Sequence, residues 1–235
     1  MLQVYFSVSR GSYEPRPLRS AQIWNIAGEV RRQILRGRRR TALEVKELVE
    51  ESRKLVVNGI VLNAHWDLGR QLPNGALGLT EADSVLPGTV LIGINGSMIA
   101  GREYLLRSTV AHELGHALFD GLWMVQQESR ASFATPDEAH LTKPARTGER
   151  ADWREFRANE FMGALLVPRA TLHGALVRTS VSLGLPLFDR GEDLPVPRLT
   201  GQVERAEHLL LELAERFGVS PEFIRYRLRR YTLVT

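Results

Sequence analysis

The sequence predicts an α+β protein that is mostly helical, with a small β-sheet beside one long apolar helix and a C-terminal helical extension. Three observations lead there. The stretch from about Glu103 to Phe119 presents Leu105, Leu106, Thr109, Val110, Leu114, Ala117 and Leu118 as a broad apolar face with no proline to break it. Two short β-type runs, Ile60 to Ala64 and Thr89 to Asn95, precede it, with turns at Pro73-Asn74-Gly75 and Pro87-Gly88. Helical spacing then returns beyond residue 150 and continues, with interruptions, towards the C-terminus.

Taken in order, Leu2, Val4, Phe6 and Val8 alternate, so the chain opens on a strand, followed by a Gly/Pro loop. Ser20 is placed to cap a helix in which Ile23, Ile26, Ala27, Val30 and Ile34 keep helical spacing. Thr41 and Glu44 form a capping box for a second helix, which Asn58-Gly59 closes. After the Glu103 helix, Asp152 to Val167 reads as another helix, stopped by Pro168. Ala170 to Thr179 forms the next, and Val181 to Thr200 is a Pro- and Gly-containing connection. Val203 to Phe217 is helical and stopped by Gly218. Ser220-Pro221 opens a last helix with Ile224 and Leu228 inward and Arg225, Arg229 and Arg230 outward. The expected division is a domain over 1–180 and a helical region over 181–235 that resembles a helix-turn-helix unit. The polar, proline-containing stretch 121–150 is too long for an ordinary loop and is expected to be an insertion, a lid or a disordered segment.

Composition narrows the classes. No run of about 18 apolar residues exists, so a membrane-spanning helix is not expected, and the first residues lack the pattern of a secretory signal; the expected location is the cytoplasm. Cysteine is absent, which excludes disulfides and thiolate metal sites. The net charge of +4 is carried by interspersed acids and bases, and the densest cluster, Arg36-Gly37-Arg38-Arg39-Arg40, reads as a solvated turn before it reads as a phosphate-binding patch. No repeat and no Gly-rich phosphate loop is present.

The apolar helix carries His112-Glu113-Leu114-Gly115-His116, the H-E-x-x-H pattern of zinc peptidases. Residues four apart on a helix share a face, so His112 and His116 can offer two imidazole nitrogens to one ion, with Glu113 beside it as the base that takes a proton from water. A catalytic zinc site needs a third protein ligand. His65, His140, His173 and His208 each sit alone, and a carboxylate is the better source. On the 152–167 helix Glu155 and Asn159 share one face, so Glu155 can bind the metal while the Asn159 amide orients a liganding histidine. Glu160 is turned about 140° from Glu155 and is not expected to reach the ion. The competing reading makes His112 and His116 ordinary buried histidines and Glu155 a solvated charge.

Two fragments then act together. Thr109-Val110-Ala111-His112-Glu113-Leu114-Gly115-His116 and Glu155-Phe156-Arg157-Ala158-Asn159-Glu160-Phe161, followed by Leu165-Leu166-Val167-Pro168, resemble the ImmA/IrrE family of metallopeptidases. The resemblance covers about residues 89–168 and, more loosely, the segment 213–220. It implies a zincin-like peptidase core, with His112, His116 and Glu155 as metal ligands and Glu113 as general base; Asn159 falls where the family has its helix asparagine. It also implies a narrow protein substrate, commonly a helix-turn-helix repressor whose cleavage turns on stress or mobile-element genes.

The metal expected is Zn²⁺, with Mn²⁺ or Fe²⁺ as alternatives. As in thermolysin-like peptidases, a sheet edge beside the H-E-x-x-H helix would bind substrate as an added strand; Val90-Leu91-Ile92-Gly93-Ile94 is the candidate, an ordinary buried strand being equally compatible with its apolar run. Tyr104, His140 and His173 are unranked candidates for a further donor to the oxyanion. Two other readings remain: a DNA-associated regulatory protein using the basic C-terminal helix, its metal structural or absent, and a protease kept inactive until the 121–150 segment moves.

Overall fold

Short strands with alternating burial assemble the part of the chain that precedes the H-E-x-x-H helix. The computed structural model describes residues 1–9, 11–133, 149–190, 193–199 and 201–234. The chain forms two compact units, Met1–Arg38 with Glu44–Leu165, and Arg39–Leu43 with Leu166–Thr235. In the first unit the elements are β1 (Leu2–Val4), α1 (Ser20–Leu35), α2 (Val45–Ser52), β2 (Lys54–Val57), β3 (Ile60–Asp67), β4 (Gly78–Ala82), β5 (Thr89–Ile94), the single turn α3 (Gly96–Ile99), α4 (Glu103–Phe133) and α5 (Glu149–Leu166). The architecture is the expected one, mostly helical with a small sheet beside α4.

The sheet is mixed, in the order β1-β2-β3-β5-β4. β1 runs parallel to β2 and β3 parallel to β5, while the β2–β3 and β4–β5 pairs are antiparallel. The β2–β3 hairpin turns on Asn58 (φ 52°) and Gly59 (φ 83°), two left-handed residues in succession, which is the Asn-Gly hairpin turn. This corrects the assignment of Asn58-Gly59 as a helix stop: α2 ends at Ser52 and Lys54–Val57 is already strand. The capping box of α2 also lies later than Thr41-Glu44, with Glu47 Oε2 accepting from the Glu44 N–H. The opening strand stops at Val4, and Val8 forms only an isolated bridge to Pro15.

Val90 to Ile94 does not lie on an edge. β5 is hydrogen-bonded on both sides, to β3 and to β4, and buried along nearly its whole length, which explains its continuous apolar run. The edge strand next to β5 is β4, which carries little β-type signal because Gly78-Leu79-Thr80-Glu81-Ala82 has one large apolar residue. The phase of its ladder is fixed by the Asn95 N–H donating to the Leu77 carbonyl and the Asp83 N–H donating to the Thr89 carbonyl, both at 2.9 Å. Leu79 and Glu81 therefore face β5, and the backbone groups of Gly78, Thr80 and Ala82 are turned to the outer edge.

α4 runs past Phe119 to Phe133, so residues 121–133 of the anticipated insertion are helical and 149–150 open α5; residues 134–148 lie outside the described residues. Phe119 packs at a tilt against Phe6 and edge-on to Phe161 of α5, with ring centroids 5.2 and 5.7 Å apart, joining three segments in one aromatic cluster.

The second unit holds α6 (Arg169–Ser182), the hairpin β6 (Leu187–Arg190) and β7 (Asp193–Pro197), α7 (Val203–Phe217) and α8 (Pro221–Arg230). The hairpin occupies what the sequence suggested was a connection. Gly218 ends α7 in the left-handed conformation and the Ser220 hydroxyl accepts from the Phe223 N–H to cap α8, as anticipated. Ile224 and Leu228 are buried, and Arg225, Arg229 and Arg230 are exposed. Among the described residues no helix is long and apolar enough to cross a membrane.

Candidate metal centre

Close approach of α4 and α5 creates the site. At Gly115 an added Cβ would stand 3.0 Å from Ala158 Cα and 3.2 Å from Phe161 Cδ1, so only glycine lets the helices meet at this separation. His112, His116 and Asp120 follow at i, i+4 and i+8 on one face of α4, and Glu155 reaches that face from α5.

The distances form a triangle. His112 Nε2 lies 3.1 Å from His116 Nε2, Glu155 Oε2 lies 3.3 Å from His112 Nε2, and Glu155 Oε1 lies 3.3 Å from His116 Nε2. Ligands at 2.0–2.1 Å around a tetrahedral zinc ion are separated by about 3.3 Å, so the spacing of this donor set suits one divalent cation. These residues could hold a metal ion.

Asp120 extends the site on its buried side. It is 1% exposed, with Oδ2 at 3.4 Å from His116 Nδ1, and Oδ1 accepts from Arg157 Nη2 at 2.5 Å. Arg154 Nε is 3.9 Å from the same oxygen, and its guanidinium lies over the Trp123 ring at 4.0 Å. Hydrogen bonds from His112 and then His116 hold the Glu155 carboxyl well below the usual carboxylate range, against the opposing effect of burial. Burial by itself would lower the His116 imidazole, but its hydrogen bonds to Asp120 and Glu155 and the charges of Asp120 and Glu113 outweigh this and push it up to about 9. Without metal the pocket therefore favours a proton at the place a cation would take.

Glu113 lies beside the triangle, 5% exposed, its Oε2 accepting from Thr80 Oγ1 at 2.8 Å. A cleft of about 560 Å³ opens over these groups. Its α4 wall runs from Leu105 through His112 and His116 to Met124, its second wall is β4 with the residues just before it, and Arg154, Asn159 and Met162 of α5 complete it.

A family model described as the IrrE N-terminal-like domain, of the M78 peptidases, matches residues 89–229, more than half of the chain. The chain belongs to this M78 family. No curated protein and no solved structure matched it. The M78 match contains His112, Glu113, His116 and Glu155 together, and begins after β4.

The M78 chain brings four of the expected residues into one place and leaves others aside. Asn159 lines the cleft, exposed and without a hydrogen bond to a described residue; Asp120, not Asn159, meets the ring nitrogen of His116. The reason is geometric: Asp120 sits one turn beyond His116 on its own helix, with its carboxylate in reach of Nδ1. Val90–Ile94 is an interior strand, and the cleft is walled by β4 instead. Tyr104 is half-exposed and does not line the cleft. His173 belongs to the second unit, where its Nε2 meets the Pro195 carbonyl at 2.8 Å, and His140 lies outside the described residues. Glu160 accepts from Trp24 Nε1 at 2.5 Å, turned away from the histidines as its position on the helix required. Sequence reasoning missed Asp120, Arg157, Gly78 and Thr80; only Asp120 carried a usable signal, the four-residue step from His116.

Proposed function

We propose that the chain is a zinc-dependent endopeptidase, with His112, His116 and Glu155 as metal ligands and Glu113 as general base. The observation that carries this reading is the 3.1–3.3 Å triangle of imidazole nitrogens and carboxylate oxygens with a buried carboxylate beside it in an open cleft. A divalent ion held there supplies Lewis acidity to water and to the scissile carbonyl. Glu113 takes the proton from the attacking water and returns it to the leaving amine. Asp120, fixed by Arg157, keeps the His116 ring oriented with Nε2 towards the cleft.

An internal cleavage site is favoured by where the triad lies. Lining residues on α4 continue to Leu105 on one side and Met124 on the other, a span of about 28 Å at 1.5 Å per residue, or roughly eight residues of extended peptide. We assign substrate docking to the outer edge of β4, through the backbone groups of Gly78, Thr80 and Ala82. The protein substrate we propose is a helix-turn-helix repressor in a stress-response or mobile-element system, acted on in the cytoplasm; this rests on family resemblance, as does the choice of zinc over Mn²⁺ or Fe²⁺.

The DNA-associated reading has in its favour the exposed Arg225, Arg229 and Arg230 on α8. It gives no reason for Glu113 to be buried against β4 beside two histidines and a carboxylate. Incubating the zinc-loaded protein and its Glu113→Gln variant with a defined mixture of unstructured peptides separates the two. Internal cleavage by the wild type alone, at equal metal content, supports the peptidase; identical products from both proteins contradict it.

A further inference from the structure

The base of the cleft is held by the sheet, outside the region that the family match covers. Thr80 Oγ1 donates to Glu113 Oε2 at 2.8 Å and also lies 3.3 Å from the Glu113 carbonyl oxygen. Thr80 is 4% exposed and Glu113 5%, so water does not compete for this bond as it would at a surface. Two residues earlier, on the same face of β4, Gly78 has no side chain where one would collide. An added Cβ would lie 2.4 Å from Glu113 Oε1, 2.7 Å from Cγ and 2.8 Å from Cδ. The φ of Gly78 is not in the left-handed region, so its role here is space and not backbone conformation.

We propose that β4 is the positioning element of the general base: Gly78 leaves a slot for the Glu113 carboxylate, and the Thr80 hydroxyl holds one of its two oxygens. This rests on the reading of Glu113 as that base. A glutamate with three rotatable bonds in an open cleft would sample many orientations, and a slot with one donor removes most of them before substrate arrives. The same three residues that turn backbone groups to the outer edge, Gly78, Thr80 and Ala82, include the two that touch Glu113. A peptide added to that edge is thereby registered to the carboxylate that serves it. Thr80 and Gly78 are positioning residues, since both act through Glu113.

The test uses the full chain loaded with Co²⁺ and titrated with acetohydroxamate, followed in the cobalt visible spectrum. A hydroxamate chelates the ion and passes its proton to a neighbouring base, so its affinity reports where the Glu113 carboxylate stands without any need for a substrate. Freeing the carboxylate from the hydroxyl that orients it is expected to weaken binding about tenfold in Thr80→Val, while Thr80→Ser, which keeps a hydroxyl, stays within about twofold of wild type. Gly78→Ala should weaken it as well, its methyl displacing the carboxylate. Cobalt content and the spectrum before titration should match wild type in all three. In a Glu113→Ala background, Thr80→Val should add no further loss. Wild-type affinity in Thr80→Val, or a loss that persists without Glu113, overturns the proposal. Failure of wild type to bind Co²⁺, or full affinity in Glu113→Ala itself, overturns the reading of the site on which it rests.

Discussion

Gly115 and Ala158 face each other so closely that a methyl group on the glycine would stand 3.0 Å from the Ala158 Cα and 3.4 Å from its Cβ. This contact lies one residue before His116 on α4 and three residues beyond Glu155 on α5, so it sets the distance over which the carboxylate must reach the imidazoles.

Gly115→Ala separates geometry from stability. Alanine improves a helix interior by about 1 kcal/mol over glycine, and overpacking at the helix contact costs about 1–3 kcal/mol, so the net loss of stability is about 0–2 kcal/mol and the fold is kept. The helices must part by a few tenths of an ångström, carrying Glu155 with α5. Zinc affinity, measured by competition with a chelator, is expected to fall about tenfold or more while the helical circular dichroism is kept. Unchanged affinity would mean that this contact does not set the ligand geometry.

Asp120 offers a second test through its two partners, His116 at 3.4 Å and Arg157 at 2.5 Å. Asp120→Asn keeps the shape and removes the charge. Loss of the carboxylate behind the imidazole is expected to lower zinc affinity about 10–100-fold. Arg157, 4% exposed, then loses the charge of its buried partner, and unfolding free energy should drop by about 3–5 kcal/mol. Urea titration of the metal-free protein reads the second effect independently of the first, and full zinc affinity in the variant would contradict a role for Asp120 in orienting His116.

The metal-free protein should have a defined pH window of stability from this site. The His116 imidazole is raised from 6.5 to about 9, so its contribution is fully present below pH 6.5 and is lost as pH rises through 9. The Glu155 carboxyl is lowered from 4.5, so its contribution is present above pH 4.5 and is lost as pH falls below that. The shared contribution is greatest between pH 4.5 and 6.5. Thermal unfolding across pH 4 to 10, compared with Glu155→Gln, should show the wild-type advantage shrinking from pH 6.5 upwards. Zinc binding runs the other way: the ion displaces the His116 proton, and affinity should rise about tenfold per pH unit between these His116 values. A pH-independent difference between the two proteins would contradict both signs.

Much of this site was legible because helix periodicity is strict. His112, Glu113 and His116 needed only the four-residue repeat, and Glu155 needed a second helix of the same kind with a carboxylate on its inward face. Val90–Ile94 was legible as a strand but not as an interior one, since a run of apolar residues records burial without recording which neighbours supply the hydrogen bonds. β4 was illegible for the opposite reason. It has few apolar residues because one face receives the Glu113 carboxylate at Gly78 and Thr80. Asn58-Gly59 carried a hairpin signal that the preceding helix obscured, and its two positive φ angles show the hairpin requirement outweighing a helix stop.

The proposed peptidase requires one ion gripped by two imidazoles of α4 and one carboxylate of α5. Zinc content and affinity in the purified wild type and in Glu155→Ala test it most directly. Near one zinc ion per chain in the wild type, with affinity reduced by orders of magnitude in the variant while the fold is kept, is the predicted result. Equal zinc content and affinity in both proteins would contradict it, because the ion would then be held without the one ligand that α5 offers among the described residues.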